Sequence, residues 1–149
     1  MALEQQIQKD IMEAMKAHDE SRLNATRSIK SEILLAKTSG AEHELSDADV
    51  LKIIQKLVKQ RKESAELYIQ GNRPELAEKE LAEMKVMEAY LPKALSEDEV
   101  RNILKGIVTE VGATSPKDMG KVMGAATKKL AGQADGKLIS TIVKELLAQ

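Results

Sequence analysis

Residues 111–137 read VGATSPKDMGKVMGAATKKLAGQADGK, and this stretch decides the rest of the chain. It holds five of the eight glycines and one of the three prolines, so its starts and stops are well marked. Ser115-Pro116 reads as a helix start, with serine as N-cap and proline at the first helical position, where a missing N–H costs nothing. Asp118 adds a negative side chain in the first turn, where the helix dipole favours it. Gly132 is placed to end that helix, and Asp135 to cap the next.

Projected at 100° per residue, the expected helix separates into stripes. Met119, Val122, Met123, Ala126 and Leu130 share a core-facing side. Lys117, Lys121 and Lys128 share the opposite side, beside a strip of small residues, Gly120, Gly124, Thr127 and Ala131. A glycine inside a helix costs about 1 kcal/mol relative to alanine, so the strip implies a need for a thin surface. Two explanations fit. Another helix crosses closely and the lysines are merely solvated, or a nucleic-acid backbone lies along the strip with the lysines on its phosphates. Spacing does not choose between them.

Outward from this stretch, every periodic segment has helical spacing and none alternates long enough to be a strand. Leu3, Ile7, Ile11, Ala14 and Met15 mark a first helix. After a break at His18-Asp19, Leu23, Thr26, Ile29, Ile33 and Ala36 mark a second. Ser46 with Asp49 resembles a capping box and opens a long third helix, with Val50, Ile54, Leu57, Val58, Ala65 and Tyr68 inward. Gly71-Asn72-Arg73-Pro74 reads as a turn. Ala77, Leu81, Met84, Met87 and Leu91 then carry a fourth helix to Pro92, which stops it. Ser96 and Glu99 box the start of a fifth, with Val100, Ile103, Leu104, Ile107 and Val111 inward. Leu138, Ile139, Ile142, Val143 and Leu146 give the seventh. The expectation is an all-α protein of about seven helices in two subdomains, an N-terminal one over residues 1–92 and a small three-helix one over residues 93–149.

Composition limits the chemistry. With no Trp, Phe or Cys and only Tyr68 and Tyr90 as aromatics, aliphatic residues must fill the core, and disulfides, thiolate metal sites and a cysteine nucleophile are excluded. His18, near a helix end, and His43, in a polar loop, are the only histidines, and neither is paired with a serine. The glycines before Lys121 are too widely spaced for a P-loop, and valine follows that lysine. No catalytic residue, metal ligand or cofactor is expected. The first residues carry charges throughout, with no apolar segment of signal-peptide length and no membrane-spanning run. The expectation is therefore a cytosolic protein that binds no membrane.

What remains is binding. The net charge is −1, so any attraction to nucleic acid is local. From Lys117 to Lys144 six lysines stand against two aspartates. The candidate RNA-binding residues are Lys117, Gly120, Lys121, Gly124, Lys128, Lys129 and Lys137. The N–H groups at Ser115 suggest a phosphate site beside Lys117. Without an aromatic platform for stacking bases, the ligand implied is a structured RNA read by shape. A second lysine strip, Lys52, Lys56, Lys59 and Lys62, suits a solvated face paired with Glu63 and Glu66. Arg61 stands apart from it and suits a pairing between helices.

DMGKVMG (118–124), followed in register by GQADGK (132–137), resembles the signature of the GatB/YqeY domain family. VKQRKES (58–64), LAEKELAEMKVMEAYLP (76–92) and VKELL (143–147) extend the resemblance over nearly the whole chain. That family includes the tail of the GatB subunit of tRNA-dependent amidotransferases, a helical tRNA-binding appendage whose catalytic chemistry lies in other regions and subunits. The resemblance implies a non-catalytic tRNA-binding accessory module under a family label of carbon–nitrogen ligase with glutamine as amido-N-donor. The alternative is a protein-interaction module docking on an aminoacyl-tRNA synthetase or an amidotransferase subunit.

Overall fold

The computed structural model describes residues 2–39 and 45–148, so His43 and most of the loop expected before Leu45 lie outside the described residues. The chain forms α1 (Ala2–Ala17), α2 (Glu20–Thr38), α3 (Asp47–Gln70), α4 (Pro74–Glu88), α5 (Glu97–Val111), a 3-10 turn (Pro116–Asp118), α6 (Met119–Lys129) and α7 (Gly136–Leu147). Seven α-helices and no strand occur among the described residues, so the all-α expectation holds. Two compact units result, Met1–Leu91 and Pro92–Gln149.

In unit 1, α3 packs along α4, and α2 against both α1 and α4. Its core gathers Ile7 and Ile11, Ala25, Ile29 and Ile33, Val50, Ile54 and Leu57, and Met87. Each fully buried aliphatic side chain of this size contributes about 1.5–3 kcal/mol. Unit 2 repeats the scheme with three helices, on Val100, Leu104 and Ile107, Val122, Ala126 and Leu130, and Ile139, Ile142, Val143 and Leu147.

The helix boundaries follow local chemistry. Ser46 and Asp49 form the expected capping box, as do Ser96 and Glu99, and the Asp135 side chain accepts the Lys137 N–H. Three helices end alike. Past α1, Asp19 N–H donates to the Ala14 carbonyl around a left-handed His18 (φ 54°). Past α3, Arg73 N–H reaches the Tyr68 carbonyl around Asn72 (φ 59°), and past α5, Ala113 N–H reaches that of Val108 around Gly112 (φ 69°). Only the third uses the residue that pays no steric cost for the left-handed conformation.

Several sequence expectations are corrected here. α4 stops at Glu88, and a turn carries the chain through Leu91, because Tyr90 turns back toward α1. There its hydroxyl donates to the Asp10 carboxylate. Met15, expected inward, is 50% exposed, whereas Asp10 on the same helix is buried. Asp10 is tolerated because Gln6 Nε2 donates to it at 2.9 Å and Arg22 stands 3.9 Å away. Burial, then the bond to Asp10, drives the Tyr90 hydroxyl well above the ordinary phenol range. Glu83 is likewise buried, where periodicity put Met84 inward. Arg61 crosses to it as expected of a residue outside the lysine strip, lying 3.5 Å from both Glu80 and Glu83 and donating to Ser28 Oγ at 3.0 Å.

Candidate nucleic-acid interface

The site is built on α6. Val122, Ala126 and Leu130 are fully buried and fix the rotation of the helix. That rotation leaves Gly120, Lys121, Gly124 and Lys128 exposed along the outer side, with Lys117 exposed in the turn before them. A Cβ added at Gly120 or Gly124 would meet nothing within 4 Å. Among the described residues of unit 2, no helix crosses closely enough to explain the glycines. Thr127 is half-buried and its hydroxyl donates to the Gly124 carbonyl at 3.3 Å, which keeps the strip low.

Lys129 is exposed but lies about 100° around the helix from Lys128, so it flanks the strip. Lys137 is exposed in the first turn of α7, which packs against α6. Among the described residues none of these five lysines forms an ion pair with a carboxylate. Asp118, the acid that Lys121 acts on, has another task. Its carboxylate accepts the N–H groups of Thr114 at 2.9 Å and Ser115 at 3.3 Å. Those two bonds, more than Lys121, hold its carboxyl below the usual range.

This corrects the phosphate site expected at the Ser115 helix start. The N–H groups there are taken by the chain's own carboxylate, and the turn is 3-10 rather than α, so they do not point freely outward. The Lys137 N–H is likewise given to Asp135 at 3.2 Å. The positive surface of α6 is thus one of side-chain ammonium groups alone.

Elsewhere, Lys52, Lys56, Lys59 and Lys62 are exposed on α3, and none is ion-paired with Glu63 or Glu66 among the described residues. His18 is exposed at its turn. No group of three or more His, Asp or Glu placed to hold a metal occurs among the described residues, and no described helix is long and apolar enough to cross a membrane. Sequence reasoning missed the buried Glu83 and the cleft above it. Its only signal was an acid at a spacing that also places it inward.

A family model described as Yqey-like protein matches residues 4–147. The chain is 27% identical to "Altered inheritance of mitochondria protein 41, mitochondrial" of Pyrenophora tritici-repentis, over 95% of this chain and 78% of that one. It is 30% identical to the protein of that name from Kluyveromyces lactis, over 74% of this chain and 60% of the relative. A 59-residue stretch is 41% identical to part of a glutamyl-tRNA(Gln) amidotransferase subunit of Thermococcus gammatolerans, covering 37% of this chain and 9% of that protein. The expectation of a cytosolic protein is corrected by the first two, which are named mitochondrial. It rested on the lack of an apolar signal, and that bears on secretion. Mitochondrial import uses amphipathic, Arg-rich segments instead.

Proposed function

Because this chain belongs to the family of Yqey-like proteins, we propose that it is a non-catalytic accessory module that holds a structured RNA, of which tRNA is the class favoured, against the outer side of α6. The observation that carries this reading is the pair of uncovered glycines flanked by Lys117, Lys121 and Lys128, all exposed. Glycine lets a sugar–phosphate chain approach the helix backbone, and the lysines neutralise phosphates on either side. Such contacts release counterions and carry little sequence information. Unit 2 has no aromatic residue, so stacking on splayed bases plays no part and recognition rests on shape. The choice of tRNA draws on the relative named as a glutamyl-tRNA(Gln) amidotransferase subunit, of which this chain covers 9%.

Amide transfer from glutamine, which the resemblance to the GatB/YqeY family brings to mind, lies outside this reading. It needs an activated nucleophile and a site for an activated acceptor, and the chain has no cysteine and no serine paired with histidine. Incubating the protein with mischarged tRNA, glutamine and ATP gives no amidated product.

Filter binding with total tRNA across a salt series tests the interface. Affinity falls steeply with salt, and Lys117→Ala/Lys121→Ala/Lys128→Ala lowers the slope of log K against log salt by about 2–3. An unchanged slope refutes the site. The open glycine strip also suits a partner helix, on a synthetase or an amidotransferase subunit. A partner that remains bound after RNase treatment, through Gly120 and Gly124, would favour that second reading.

A further inference from the structure

A cleft of about 480 Å³ opens on unit 1 between α2, α3 and α4. Small-molecule sites fall in the range of about 300–1,000 Å³. Rim and floor differ in charge. Arg27 and Lys79 are exposed at the mouth, whereas Glu83 lies at the floor with 6% of its surface accessible. Glu80 and Glu83 share one cation there, Arg61, at 3.5 Å from each. Both separations exceed good hydrogen-bond length, and the Arg61 Nη2 that faces Glu83 also donates to Ser28. Two carboxylates against one guanidinium leave the floor with an unmatched negative charge.

The floor is also poorly bonded: Glu80 Oε2 and the Arg61 Nε that faces it at 3.5 Å are both buried without a hydrogen bond. A buried polar pair held beyond bonding length is costly, and burial holds the Glu83 carboxyl above its usual range. Tyr68, one of the two aromatic residues of the chain, lines the same cleft, and aromatic rings attract ammonium groups.

We propose that this cleft binds a small zwitterion of amino-acid size, with its ammonium group on Glu80 and Glu83 beside Tyr68 and its carboxylate on Arg27 and Lys79. An ammonium brings three donors and a positive charge, which suits a floor where two carboxylates lean on one guanidinium. A lone carboxylate meets the surplus negative charge, and a lone amine leaves the cations at the mouth unmatched.

Titration of the isotope-labelled full chain with glycine, L-alanine, ethylamine and acetate tests this by amide shifts and calorimetry. Glycine and L-alanine saturate with dissociation constants of about 1 mM or below, shifting amides around Ser28, Tyr68 and Lys79. Ethylamine binds more weakly, and acetate gives no saturable shift. Arg27→Ala/Lys79→Ala changes only exposed residues and brings the amino acids down to the affinity of ethylamine. Glu83→Gln, with its fold checked by a far-UV melt, weakens the ammonium ligands about tenfold. Absence of binding by the amino acids, binding no tighter than that of ethylamine or acetate, or an unchanged affinity in the Arg27/Lys79 variant overturns the proposal.

Discussion

Gly120 and Gly124 set stability against binding, and replacing both with alanine separates the two. Neither has a left-handed φ, and an added methyl at either meets nothing within 4 Å, so alanine fits without strain. Gly124 sits in the interior of α6 and gains about 1 kcal/mol as alanine. Gly120 is the second residue of the helix and gains less, about 0.5 kcal/mol. Together the changes stabilise unit 2 by about 1.5 kcal/mol, equivalent to a rise of about 6–12 °C for a domain of this size. Urea denaturation followed by far-UV circular dichroism measures the gain, and slower hydrogen exchange in α6 peptides assigns it to this helix. The same variant binds tRNA more weakly, because two methyl groups now stand between the helix backbone and the phosphates. Gly124→Leu deepens the binding loss. Lower stability in the alanine variant would refute the open-strip geometry. Wild-type affinity in Gly124→Leu would refute close approach of the RNA.

Other outcomes follow from unit 1 and the helix ends. Arg61→Met leaves Glu83 without its cation; because Arg61 retains 22% exposure, the loss is put at about 2–3 kcal/mol, below the cost of opening a fully buried pair, and is read by urea denaturation. Burial keeps the Glu83 proton bound more tightly in the folded chain than in the unfolded one. Its contribution to stability is therefore present below the unfolded value and lost as pH rises through the raised folded value, and in Glu83→Gln that decline disappears from a pH series of melts. His18→Gly and Asn72→Gly relieve left-handed backbone and each stabilise by up to about 1 kcal/mol, whereas Gly112→Ala costs about as much.

The helices and their starts were readable because their causes are local. Ser46 with Asp49, Ser96 with Glu99, and Asp135 each act within three residues, and the apolar faces of α2, α5 and α7 repeat at helical spacing. What escaped were positions settled by distant partners. Asp10 is buried because Tyr90, eighty positions along the chain, reaches back to it. Glu83 is buried because Arg61 and Ser28 come from two other helices. At Ser115 the expected helix opens as a 3-10 turn before α6, and a carboxylate three residues on competes for the same N–H groups as a phosphate, so only geometry shows which holds them. In the candidate strip, spacing put the lysines and glycines on adjoining stripes, and solvent on both required the packing of Val122 and Ala126.

Among the described residues, arginine does most of the clamping between helices in this protein, beside one lysine pair, Lys37 with Glu4. Arg22, Arg61 and Arg101 are engaged with carboxylates of neighbouring helices, while the α6 ridge bears lysine and no arginine. Acetylation acts on amines and leaves guanidinium groups intact. An acetyl donor, chemical or enzymatic, therefore erases the cationic ridge one site at a time and leaves the arginine clamps between helices in place.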